Sequence, residues 1–101
     1  MSYPTLTNSE VRRLKAEAQR LEPIVRVGKN GLTPAVLHSI QQALTSRELI
    51  KIRFDHEREE RDTLAGEVAE ATEAALILQV GKVAVFYRPQ PSADDSTPLR
   101  V

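Results

Sequence analysis

The stretch Val27-Gly28-Lys29-Asn30-Gly31-Leu32-Thr33-Pro34 leaves this chain little choice of local fold. Ahead of its glycines, the β-branched run Ile24-Val25-Arg26-Val27 predicts a strand that stops at Gly28. Beyond them, Thr33 suits a helix N-cap, because its hydroxyl can accept a hydrogen bond from a free first-turn amide. Pro34 then falls at the first helical position, where the N–H it lacks is not needed. Leu32 and Leu37 have the spacing of a hydrophobic staple across that cap. The segment therefore reads strand, two-glycine loop, helix. Such a loop lets backbone approach a ligand closely and turns amides and the positive end of a helix toward an anion. Lys29 adds a cation at the tip, and the loop is expected to meet a nucleic-acid backbone.

The flanking sequence supplies the remaining elements. Thr7-Asn8-Ser9-Glu10 is a capping box, and Val11, Leu14, Ala18 and Leu21 form a helical stripe from about Asn8 to Arg20. Glu22-Pro23 ends that helix. Val36, Leu37, Ile40 and Leu44 mark a second helix over about Pro34–Thr45, and Glu48–Phe54 alternates as a half-covered strand. Two strands joined through a helix imply a parallel pair. Leu64, Val68 and Ala71 place a third helix within His56–Thr72, weakened by Gly66. Ala75–Val80 and Val83–Arg88 flank Gly81-Lys82, a two-residue loop that fits a type II′ hairpin. The order α-β-α-β-α-β-β predicts a two-layer α/β domain with a four-stranded mixed sheet and its helices on one side. Residues 1–91 form this single domain, and 92–101 read as a polar tail.

Composition narrows the function classes. No apolar run approaches the roughly 18 residues of a membrane span, and Met1-Ser2-Tyr3-Pro4 lacks a signal peptide's apolar stretch. Without cysteine, disulfides, thiolate metal sites and Cys nucleophiles are excluded, and a reducing cytoplasm is the natural assignment. The formal net charge is zero, but it is unevenly spread. Residues 1–54 hold nine Lys/Arg against four Asp/Glu, whereas 55–73 hold two against eight.

A catalytic inventory is missing. His38 and His56 have no partners in a triad pattern and no metal-ligand spacing, so neither an enzyme nor a metal or cofactor is expected. The carboxylates from Asp55 to Asp62 read as solvated helix charge. The Gly28–Gly31 loop matches neither the P-loop nor the dinucleotide fingerprint. It is chemically alike to the GXXG loop with which KH domains clamp backbone nucleotides. Arg26, Lys51 and Arg53 alternate with core residues and are expected to share an open sheet face. Arg12, Arg13 and Lys15 line the first helix, Lys82 marks the hairpin and Arg88 the end of the last strand. The scarcity of aromatics, with Phe54 assigned to the core, favours backbone and shape recognition over an aromatic stacking platform.

These pieces together resemble the CRM domain (chloroplast RNA splicing and ribosome maturation) family, in its stand-alone bacterial YhbY-like form. The matching segments are Leu6-Thr7, Leu21-Glu22-Pro23-Ile24-Val25, Val27–Thr33, Val36-Leu37 with Ile40, Glu48–Ile52, Val80-Gly81-Lys82 and Tyr87-Arg88-Pro89. The acidic third helix diverges, and Ala71-Thr72-Glu73-Ala74 lacks the glycine expected before the third strand. The resemblance implies a fold like the C-terminal domain of translation initiation factor three. It also implies RNA binding, with bacterial members associated with precursors of the large ribosomal subunit. It points to Gly28, Lys29, Asn30 and Gly31 as RNA contacts, with the first-helix cations as weaker candidates. The alternative is a protein-interaction module whose acidic third helix docks a basic ribosomal protein or assembly factor.

Overall fold

The computed structural model describes residues 6–89; the polar tail at 92–101 and the start of the chain lie outside them. The first helix, α1 (Asn8–Ala18), opens on the expected capping box: Thr7 Oγ1 accepts from the Glu10 amide and Glu10 Oε1 from the Thr7 amide. It ends two residues before Arg20, its last turn tightening into i→i+3 bonds. Strand β1 (Val25–Val27) leads through the glycine loop to α2 (Pro34–Arg47), where Thr33 Oγ1 caps the Val36 amide and Pro34 opens the helix. Then follow β2 (Leu49–Phe54), α3 (Arg58–Thr72), β3 (Ala75–Val80) and β4 (Val83–Tyr87).

The strands form one sheet in the order β1-β2-β4-β3. β1 and β2 are parallel, with Arg26 opposite Arg53, and the other two pairings are antiparallel. At the β3–β4 turn only Gly81 takes a positive φ, +58°, as a II′ turn requires of its first residue. The main core lies between the sheet and helices α2 and α3. There Val27, Ile50, Ile52, Phe54 and Phe86 meet Ile40, Leu44, Ala65 and Val68, all essentially without solvent contact. Burial of each large side chain among them contributes about 1.5–3 kcal/mol.

The helices do not all share one side. Leu14 and Ala18 of α1 pack with Ile77 and Val85 against Leu49, Leu78 and Tyr87, on the sheet face opposite α2 and α3. The alternation in β2 accounts for this: Leu49 is the apolar member of the Leu49–Lys51–Arg53 face, and it offers α1 a seat at one end only. In α3 the missing glycine has a structural counterpart. Glu73, with φ 59° and ψ 36°, takes the left-handed position that ends the helix.

Candidate nucleic-acid interface

One end of the sheet gathers the glycine loop, the end of β2, the β3–β4 turn and the start of α3. The Asp55 amide donates to Val27 O, and the Phe54 amide donates to Lys82 O, so the loop, strand end and hairpin are tied together. Carboxyl ends of adjacent strands are where open α/β sheets commonly receive ligands.

Within the loop the Gly31 amide donates to Gly28 O and the Thr33 amide to Gly31 O. Gly31 has φ +73°, a conformation other residues adopt only with strain. Gly28, Lys29 and Asn30 are exposed, and the amides of Lys29 and Asn30 donate to no acceptor among the described residues. The loop is therefore open and keeps donors available.

The sheet cations are partly engaged. Arg26 and Arg53, opposite each other, share one carboxylate: Arg26 Nε lies 2.5 Å from Asp55 Oδ2 and Arg53 Nε 3.1 Å from Asp55 Oδ1. The hydrogen bond from Arg26 holds the Asp55 carboxyl below its ordinary value, against the opposing effect of desolvation and with the help of Arg53. Both arginines use Nε for this bond, and their side chains stay 69% and 42% exposed. Lys51, by contrast, donates through Nζ to Leu21 O at 2.8 Å, bracing the α1–β1 connection. Arg88 is further from a free cation. Its guanidinium bonds Gln41 Oε1 at 2.6 Å, Thr72 O at 3.0 Å and Thr45 Oγ1 at 3.2 Å, joining the ends of α2 and α3.

The first-helix candidates are not brought to the loop. Arg12, Arg13 and Lys15 are exposed on α1, on the same side of the sheet as Arg26 and Arg53. Arg13 is paired with Glu17 at 3.2 Å, and its charge acts on Tyr87, at the opposite end of β2 from the loop.

On its other flank the loop meets acid. A groove of about 490 Å³ separates Lys29, Asn30 and Gly31 from His56, Glu59, Glu60, Thr63 and Leu64. A second hollow is lined by Lys29, Lys82 and Arg61 together with Asp55, Glu57 and Glu60. The notch is thus cationic toward the sheet and mixed toward α3. Sequence reasoning missed this neighbourhood because the register that folds the 55–62 run beside the loop leaves no local signal. Asp55 was missed likewise, although Arg53-Phe54-Asp55 puts a carboxylate two residues beyond a strand arginine. Among the described residues, no group of three or more His, Cys, Asp or Glu side chains is placed to hold a metal ion.

Residues 6–88 match the family model of the CRS1/YhbY (CRM) domain. An RNA-binding protein of Haemophilus influenzae is 36% identical over 97 residues, covering 95% of this chain and 98% of the relative. A Pseudomonas aeruginosa protein named as a probable RNA-binding protein is 34% identical over 87 residues, covering 85% and 84%. A Staphylococcus aureus protein solved in solution, described as a candidate RNA-binding protein, superposes with a TM-score of 0.76 at 30% identity, over 87% of this chain and 93% of that one.

Proposed function

The chain belongs to the CRS1/YhbY (CRM) domain family, and from that membership we propose that it is a non-enzymatic, cytoplasmic RNA-binding protein acting on precursors of the large ribosomal subunit. The observation that carries the proposal is the convergence of an open glycine loop with Arg26, Arg53 and Lys82 at one end of the sheet. Phosphates would take the free amides of Lys29 and Asn30 together with both side chains, while the arginine pair tracks the chain. Glu57, Glu59 and Glu60 repel phosphate, so the RNA would approach from the sheet side of the loop and not across α3. The α1 cations would contribute only where the RNA extends along that face.

The test is ribosomal RNA binding by Lys29→Glu over a range of salt. Affinity should fall, and the slope of log K against log salt should become shallower by about 0.7–0.9 for each lost phosphate contact. Unchanged affinity and slope would remove the loop from the interface. A second reading is favoured by α3, whose exposed Glu59, Glu60, Glu67 and Glu70 make an acidic outer surface. It would dock a basic ribosomal protein or assembly factor. Association that persists after nuclease treatment would support it, and association that vanishes would assign the contact to RNA.

A further inference from the structure

Four residues stand in one row across every strand of the sheet: Arg26 opposite Arg53, Arg53 opposite Val83, and Val83 opposite Val80. Strand spacings of about 4.8 Å make the row roughly 14 Å wide. It lies on the α1 side, because Arg53 shares a face with Leu49 and Lys51. α1 covers the rows toward Tyr87 and stops short of this one, leaving Val80 64% exposed. Between the row and the end of α1 runs a largely apolar groove of about 410 Å³, with Ala18, Leu78 and Val85 along it and Lys51 at its side.

One half of the row is a pair of planar cations whose position is fixed by a single carboxylate. The other half is aliphatic. A ligand that gains from both must have a flat, weakly hydrated face and carry negative charge on its connecting chain. An unpaired nucleotide has both properties, since a base face stacks on guanidinium planes or packs on apolar surface while its phosphates meet the surrounding cations. Duplex RNA does not, because its base faces are stacked inside and only phosphate and ribose would reach the valines. Among the described residues no aromatic side chain stands in this row: Phe54 and Phe86 are buried on the opposite face, and Tyr87 packs beside α1 opposite Leu49, at the far end of β2 from Arg53.

We infer that this row is a platform for unpaired nucleotides of RNA, with one base over Arg26 and Arg53, another over Val83 and Val80, and the chain continuing to Gly28–Gly31. The inference rests on the RNA-binding proposal and narrows it to single-stranded segments. Asp55 enters as a positioning residue, since it holds both guanidinium groups through Nε while their side chains stay 69% and 42% exposed.

Fluorescence anisotropy with three probes tests it: a short single-stranded RNA, an abasic ribose-phosphate chain of the same length, and a duplex. The native protein should prefer the single strand to the abasic chain by about fivefold or more, the lower end of what one stacked base contributes. It should also prefer the single strand to the duplex. The double variant Arg26→Lys with Arg53→Lys keeps the charges and removes the planes, and should bring the single-strand-to-abasic ratio toward one. Val80→Ser, at a position exposed enough to leave the core untouched, should lower the same ratio. Equal affinity of the native protein for single strand and abasic chain, a preference for duplex, or an undiminished ratio in both variants would overturn the platform while leaving RNA binding by the loop intact. Absence of binding to all three probes would overturn both.

Discussion

Alanine placed at Gly28 and at Gly31 separates what the fold asks of this loop from what a ligand asks of it. A Cβ added at either position meets no atom within 4 Å, so neither substitution creates a clash. The two differ in backbone. Gly31 sits at φ +73°, where an L-residue costs about 1–2 kcal/mol. Gly28 lies outside the left-handed region, and alanine there removes freedom from the unfolded chain, a gain of about 0.4–1 kcal/mol. The same unfolded-chain gain applies to alanine at Gly31 and cancels between the two, so the expected gap in stability is the strain alone, about 1–2 kcal/mol in favour of Gly28→Ala. Urea unfolding should show it as a shift in midpoint at constant slope, and in a domain of this size each kcal/mol moves the melting temperature by about 4–8 °C. RNA affinity should behave differently. Gly28→Ala, although folded and stable, puts a methyl group on the surface that the RNA backbone is proposed to approach, and its affinity should drop severalfold. Equal stabilities would refute the assignment of strain to Gly31 alone. Native affinity in Gly28→Ala would refute close backbone approach.

Two further predictions concern α3 and Asp55. Gly66 is exposed within α3, and Glu73 ends that helix in the left-handed conformation, so each position holds a residue better suited to the other. Gly66→Ala and Glu73→Gly should each stabilise the protein by about 1 kcal/mol, measured by chemical unfolding. The gains should be nearly additive if the two sites are independent. For Asp55, the hydrogen bond from Arg26, aided by Arg53, lowers the folded-state value below the ordinary 3.8. The unfolded chain then takes up the proton first as pH falls, so the contribution is complete above the unfolded value and is lost as pH drops through the folded one. The stability difference between native protein and Asp55→Asn should be level from neutral pH down to about pH 5, then shrink below about pH 4. A difference independent of pH across that window would count against the ion pair.

Local chemistry was legible in the sequence because its signals are short. Thr7 with Glu10, Thr33 with Pro34, and Gly81 before Lys82 each encode their structure within four residues, and each appears as expected. The alternation of β2 likewise marked the buried Ile50–Ile52–Phe54 face, and the order of helices and strands marked the α/β class. What stayed hidden depends on which elements meet. Nothing near Leu14 says on which sheet face α1 settles, and nothing near Arg88 says that it will be bound to Gln41, Thr45 and Thr72. The candidate site divides in the same way. Gly28–Gly31 announces itself, and the pairing of Arg26 with Arg53 follows from strand alternation once β1 and β2 are parallel. Their common bond to Asp55 and the acidic wall beside Lys29 arise only from the three-dimensional register.

The most direct test of the central claim is a backbone-amide NMR titration of the protein with single-stranded ribosomal RNA. Shifts should concentrate at Gly28–Gly31 and extend through Arg26, Arg53 and Lys82, leaving the outer face of α3 unmoved. Shifts confined to Glu59, Glu60, Glu67 and Glu70, with the glycine loop silent, would contradict it.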